Sequence, residues 1–172
     1  MDFISDLRIL HTPEDIAGQM SILSRAQREL GYNSHSCNYS NNWMGYQCDE
    51  SLNLEQVKNK YLKGLRILRF FPGAISRYDV FHFHFGGTLL PWNYDLPLLR
   101  VLGKKMVMHH WGSYVRQKNI AATKNRFVRL KFGDEKRKLD RIKQISKYID
   151  TSIFPHNELR PYIHEYFKNN VV

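Results

Sequence analysis

The chain has 172 residues, long enough for one domain with a sizeable core, and its 42% hydrophobic and 13% aromatic content excludes a disordered chain. Its net charge of +10, with an isoelectric point near 9.7, calls for an anionic partner such as nucleic acid, anionic lipid or a phosphorylated substrate. No stretch approaches the roughly 18 uninterrupted apolar residues of a membrane span, and the opening MDFISDLRILHT has acids where a secretory leader needs a basic start, so the expected compartment is the cytoplasm.

Leu7 to His11 reads as a first buried strand, stopped at Thr12-Pro13. Pro13 to Gly18 is a loop. Gly18 to Leu30 carries Met20, Leu23, Ala26, Gln27 and Leu30 at close to helical spacing and stops at Gly31, a usual C-terminal signal. Ser34 to Tyr39 is a candidate second strand, and Asn41 to Glu50 a polar loop. Leu54, Val57, Tyr61, Leu65, Leu68 and Phe71 repeat at three and four, which predicts a long helix over Leu54 to Phe71, ended by Pro72-Gly73. Val80 to Phe85 is the third strand, Tyr94 to Leu102 a short helix before Gly103, and Lys105 to Trp111 the fourth strand. Phe127 to Phe132 alternates as an extended excursion would. Asp134 to Tyr148 is a helix with Leu139, Ile142, Ile145 and Ile149 facing in. Thr151 to Phe154 is a fifth strand, Asn157 to Tyr166 a closing helix, and Val171-Val172 the start of another strand. There is no internal repeat and no low-complexity linker. Strands alternating with helices predict a single α/β domain: a Rossmann-like, doubly wound, mainly parallel sheet with helices on both faces.

The stretch YDVFHFHFGGTLLPWNYDLPLLRVLGKKMVMHHWGSYVR, Tyr78 to Arg116, is the densest in chemistry. Open α/β sheets bind ligands outside the carboxyl ends of their strands, and His82, His84, His109 and His110 fall at or near such ends. His82 and His84 share a strand face. An H-x-H pair can bind zinc, with His109 or His110 as an available third ligand. No Asp or Glu ligand accompanies the pair, so the preferred reading is a hydrogen-bonded histidine near a cleft, with no metal assigned. In His109-His110-Trp111-Gly112-Ser113 and Arg116, imidazole, indole, turn N–H groups and guanidinium meet at one strand end. Aromatic faces stack on sugars or bases, and an arginine fork holds phosphate or carboxylate. Upstream, the glycine of PEDIAGQ would let a ligand approach the first helix N-terminus; a plain structural turn is the competing reading. Cys37 and Cys48 form neither a disulfide framework nor a metal quartet. From Arg116 to Lys147 there are 12 Lys and Arg against 3 Asp and Glu, so this segment carries nearly all of the net charge. Its cationic amphipathic helix suits an anionic membrane surface; a solvated face is the plain alternative.

The order LRILHTP, IAGQ, LGYNS, YDVFHFHFG, LLRVLGKKMVMHHWGSYVRQ, ISKYIDTSIFPHNELRPYI resembles the N-terminal domain of bacterial glycosyltransferases of family 4, which have the GT-B fold, over almost the whole chain. The resemblance implies that residues 1–172 are the acceptor-side domain of a retaining, metal-independent enzyme. Such an enzyme moves a sugar from a nucleotide-sugar co-substrate to a cell-surface glycan or lipid-linked acceptor. The partner would be a donor-binding C-terminal domain or a separate subunit, and the chain alone is expected to be inactive. No tightly bound cofactor is implied. The resemblance places Gly18 and Gln19 nearest the donor phosphates. It places His109, His110 and Arg116 in catalytic positions, and His84, Gly86, Trp111, Gly112 and Ser113 along the substrate cleft. The family commonly has Asp after Gly-Ser, where Tyr114 stands here. Two alternatives remain. One is a non-catalytic half-protein that recruits a subunit to the inner face of an anionic membrane through residues 116–147. The other is a nucleic-acid-binding α/β domain, for which no recognisable motif is present.

Overall fold

A computed structural model describes residues 6–41, 45–124 and 135–172, with backbone alone at Ser113 and Lys124. The strands β1 (Arg8–Thr12), β2 (Asn33–Asn38), β3 (Glu50–Ser51), β4 (Val80–His84), β5 (Lys105–His109), β6 (Thr151–Ile153) and β7 (Asn169–Val171) pair in parallel as one sheet. Their spatial order is β3-β2-β1-β4-β5-β6-β7, the doubly wound α/β arrangement expected from the sequence. The helices are α1 (Gln19–Glu29), α2 (Lys60–Arg77), α3 (Leu96–Val101), α4 (Gly112–Val115), α5 (Lys118–Lys124), α6 (Glu135–Ser146) and α7 (Arg160–Ile163). None is long and apolar enough to cross a membrane.

Alternation along the central strands decides what each face carries. Leu10, Phe81, Phe83, Met106 and Met108 point to one side, where they share a core with Phe70 and Ala74 of α2, Leu96 and Leu99 of α3, and Ile142 and Ile145 of α6. The inward residues assigned to the last of these helices, Ile142, Ile145 and Ile149, are buried as expected, and Leu139 is half-buried. The other side of the central strands carries histidines. There α1 is tied down by Gln27, whose Oε1 lies 2.8 Å from His11 Nε2 and accepts from Ser34 Oγ at 2.8 Å.

Several elements differ from the sequence reading. Glu50–Ser51 pairs with β2 as an edge strand inside what read as a loop. The fourth strand stops at His109, so His110 and Trp111 belong to the turn after it. The closing helix is a 3-10 turn, Asn157–Leu159, followed by the single turn of α7. Val171 ends a three-residue strand whose residues are all exposed. Phe127 to Phe132 lies outside the described residues.

The long helix departs most. Leu54–Gln56 is a separate 3-10 turn, and α2 begins at Lys60, where Asn59 Oδ1 caps the Tyr61 N–H at 2.8 Å. The helix runs through Pro72-Gly73 to Arg77. Proline removes one N–H, and the carbonyl left over belongs to exposed Leu68, where water can take it. Buried Ala74, one turn further on, holds the last part to the core. The buried stripe is Ile67, Phe70 and Ala74, whereas Tyr61, Leu65 and Leu68 are 75%, 61% and 57% exposed. Two apolar stripes compete on this helix, and the one whose spacing marks the helix in the sequence is mostly exposed within α2.

Asp95 organises the loop between β4 and α3. It is buried, and its carboxylate accepts from Thr88 Oγ1 at 2.5 Å, Leu89 N at 3.0 Å and Leu90 N at 3.2 Å. Burial pushes its pKa up against these bonds, which pull it down. Asp95→Ala strands two backbone donors, so urea denaturation is expected to show a loss of about 2–3 kcal/mol. A change under about 0.5 kcal/mol would remove Asp95 as the organiser of this loop.

Candidate functional site

The chain leaves β1 toward β2 on one side and leaves β4 toward β5 on the other, so the sheet switches direction between β1 and β4. At such a point the connecting loops diverge and leave a crevice at the carboxyl edge. Three turns meet there, after Thr12, His84 and His109. Phe85 and Gly86 reverse β4 with φ of 57° and 72°. Gly87 stands where a Cβ would come within 2.7 Å of the Pro13 ring, so only glycine lets the two loops touch.

Under these loops lie four buried imidazoles on one face of three adjacent strands: His11, His82, His84 and His109. Register places His11 opposite His82 and His84 opposite His109. His11 Nδ1 is 3.2 Å from His84 Nε2. Ring centroids are 4.5 Å apart for His11 and His82, 4.6 Å for His82 and His84, and 5.3 Å for His84 and His109. His82 Nε2, His84 Nδ1 and both ring nitrogens of His109 have no hydrogen-bond partner among the described residues. Burial drives every one of these rings toward the neutral form, with His11 and His109 lowered to about 4 and His82 and His84 well below the ordinary value. His11 was not singled out in the sequence, although it ends a strand beside the H-x-H pair.

The residues expected to form the site divide into separate environments. His109 belongs to the cluster and stacks on Trp111 at 5.1 Å, and Trp111 stacks on Phe85 at 5.5 Å. His110 is fully buried, stacked on Tyr114 and edge-on to Phe167. It therefore packs in the core with no surface open to a ligand. His84 is also fully buried. Gly86 and Gly112 are backbone approaches already filled from within: the Tyr114 ring occupies the space of a Gly86 side chain, and the Arg116 guanidinium that of a Gly112 side chain. Ser113 lies in α4. Arg116 pairs with Glu158 at 3.0 Å. Gly18, at φ 76°, has the Tyr46 ring 2.6 Å from where a Cβ would sit. Gln19 opens α1, and the next N–H, that of Met20, is taken by the buried Asp15 carboxylate at 2.9 Å. A protein carboxylate thus already sits at the helix terminus read as an anion approach.

A groove that the sequence reading missed opens where the loop after β4 meets α4 and α6. It holds about 420 Å³ and is lined by Trp92 and Asn93 from that loop, Tyr114 from α4, and residues of α6 that include Arg137, Arg141, Gln144 and one carboxylate, Asp140. Arg137 lies 5.5 Å from the centre of the Trp92 ring and Arg141 lies 5.8 Å from that of Tyr114. Gln144 Nε2 donates to Trp92 O at 3.0 Å, which ties α6 to the loop. Trp92 has a φ of 62° and is 63% exposed. The basic run was legible in the sequence; its meeting with Trp92, more than 40 residues away, was not.

No protein-family model matches the sequence, and no curated protein is significantly similar to it. Among solved structures, the chain is similar to UDP-N-acetylglucosamine 2-epimerase from Rickettsia bellii, with a TM-score of 0.52 and 12% identity. The match covers 92% of this chain and 41% of that one, so the chain spans less than half the length of that enzyme. At this identity the likeness concerns the fold alone, and it agrees with the Rossmann-like sheet.

Neutral buried histidines carry a pH signature. An unfolded chain takes up protons near pH 6.5, while the folded rings resist until about pH 4. Stability is therefore complete above about pH 7 and is lost as pH falls below 6.5. At pH 5 the loss is about 2 kcal/mol for each such ring, a large share of the 5–15 kcal/mol typical of a domain. Urea denaturation in EDTA-containing buffer is expected to show a steep fall in midpoint from pH 7.5 to pH 5. An unchanged midpoint would mean that these rings are solvated or charged in the folded chain.

Proposed function

We propose that this chain is the acceptor-side domain of a GT-B-like glycosyltransferase, working with a donor-binding domain or subunit, and that its acceptor carries phosphate. The observation that carries the reading is the groove at the carboxyl edge. Trp92 offers an exposed ring for a sugar face, and Arg141 offers a guanidinium group for a phosphate or diphosphate. A sugar joined through phosphate to a carrier presents these two features side by side. The fold likeness to an enzyme named for a nucleotide-sugar agrees with sugar chemistry, and the resemblance of the sequence to family 4 supplies the transferase class. Catalysis in such a cleft is positioning plus electrostatic stabilisation of the departing anionic group. The donor would come from the facing domain.

Arg141→Ala and Trp92→Ala are each expected to weaken binding of a short-chain lipid diphosphate sugar at least about tenfold, as loss of one charge-assisted or stacking contact does. Calorimetry on the 172-residue chain reads this directly, and the same chain should give no steady sugar transfer from a nucleotide-sugar. Equal affinity in all three proteins would end the groove assignment, and sustained turnover would end the half-site reading.

One observation favours the second reading, recruitment to an anionic membrane. Tyr61, Leu62, Leu65 and Leu68 form an exposed apolar stripe on α2, with Lys60, Lys63, Arg66 and Arg69 among them on the same helix. Such a face fits an anionic bilayer surface. Co-sedimentation with phosphatidylglycerol vesicles should drop on Leu65→Glu combined with Leu68→Glu, while the thermal midpoint holds. Binding unaffected by that pair, or absent at low salt, would remove α2 as the docking face.

A further inference from the structure

We propose that His11, His82, His84 and His109 form a binding site for a transition-metal dication of the zinc type, which fastens β1, β4 and β5 together beneath the crevice. This goes against the reading preferred from the sequence, which assigned no metal to His82, His84 and His109 and did not include His11. It does not depend on the glycosyltransferase reading.

The geometry comes first. One ring nitrogen from each of His11, His82 and His84 can be chosen so that all three lie within 4.8 Å of one another. His11 Nδ1 and His84 Nε2 are 3.2 Å apart. Two nitrogens each about 2.0–2.1 Å from one tetrahedral zinc ion are separated by ~3.3 Å. The distance between these two rings is thus that of one tetrahedral edge; with the three nitrogens within 4.8 Å of one another, the rings would draw inward to close on a metal that replaces the shared proton. His109 lies outside this group of three but flanks it, with ring centroids 5.5 Å from His82 and 5.3 Å from His84, so its ring would have to turn inward to serve as a fourth ligand.

The second argument is satisfaction. Among the described residues, His82 Nε2 and both His109 nitrogens are buried without a partner, and a metal would take up the first and one of the other two; His84 Nδ1, also unpartnered, faces away from a metal held on Nε2. Each such atom costs on the order of 1–3 kcal/mol, and grouped exceptions call for a missing ion or water. Four rings on one face of three adjacent strands concentrate that cost at a single point.

The third is the support behind the ligands. His11 Nε2 faces Gln27 Oε1 at 2.8 Å, and that oxygen accepts from Ser34 as well. An oxygen can only accept, so Nε2 carries the His11 proton and the Nδ1 lone pair is aimed into the cluster. Metal-binding histidines are usually oriented in this way by a partner on their other nitrogen. An all-imidazole set selects zinc, cobalt, nickel or copper over magnesium or calcium. His110 is excluded, since it follows His109 directly and its ring packs with Tyr114 and Phe167.

The test uses the full chain, stripped with EDTA, with cobalt and zinc alone as probes. One equivalent of cobalt should produce the strong visible ligand-field band of tetrahedral nitrogen coordination, and zinc should raise the thermal midpoint. His84→Asn and His82→Asn should each weaken cobalt binding at least tenfold. His35→Asn, near Asp49 and Glu50 at the surface, should leave it unchanged. Should the buried variants fail to fold, zinc-edge X-ray absorption of the loaded wild-type chain decides, with three or four imidazoles expected around zinc. A missing band at one equivalent, loss of binding in His35→Asn, or a shell with two or fewer imidazoles would each overturn the proposal.

Discussion

β1 pairs with β4 over four consecutive positions, Ile9 to Thr12 against Val80 to Phe83. In a parallel pair this forces the side chains of both strands into two alternating sets. Leu10, Phe81 and Phe83 go to the side of α2 and α3; His11, His82 and His84 go to the side of α1. A slip of one residue would exchange the sets, driving imidazoles into the apolar core and phenylalanines against Gln27. The register is therefore held by the difference between its two faces. The crevice inherits it, since the loops after Thr12 and His84 leave the same paired strands. β5 adds His109 to the polar set by the same alternation.

The two faces contribute opposite terms to stability. Burying a large apolar side chain such as Phe81 or Phe83 contributes about 2–3 kcal/mol. Holding imidazoles where several ring nitrogens meet nothing works against it, by a similar amount for each lost partner. A sheet built for stability alone would carry valine or isoleucine at His82, His84 and His109. Rings kept there at such a cost point to a task that needs their nitrogens. A metal held there would bond the lone pairs directly.

Much of this architecture was legible in the sequence because it rests on local signals. Short apolar runs marked β1, β4 and β5, and the stripe Ile142, Ile145, Ile149 marked the face of α6. Signals that depend on competition or distance were not legible. On α2 two apolar stripes coexist, and only packing into the core on the apolar face of the sheet decides which one is buried. β3 is two residues long and exists because β2 offers it an edge. His11 stands more than 70 residues from His82, so its membership of the cluster follows from strand order, which periodicity does not reveal. Its only local mark was a histidine at the end of a buried strand.

In the proposed acceptor site, Tyr114 explains why recognition moves from the strand ends to the loop after β4 and α6. The resemblance led to a small acidic residue there, and a tyrosine ring cannot leave the strand ends open. It stacks on His110 at 5.7 Å and fills the hollow over Gly86, which closes the backbone approach a substrate would use. Burial pushes its phenol pKa up, so it adds no charge. Arg116 is turned away to Glu158. Positive charge facing the crevice must then come from elsewhere, and α6 supplies it from the far side of the same ring, with Arg141 beside Tyr114 and Arg137 over Trp92. In the proposed acceptor site, the tyrosine thus moves recognition of an anionic ligand from the strand-end arginine to the helix behind it. The basic run of α6 becomes the wall of the groove, and the strand-end imidazoles beneath are left to one another.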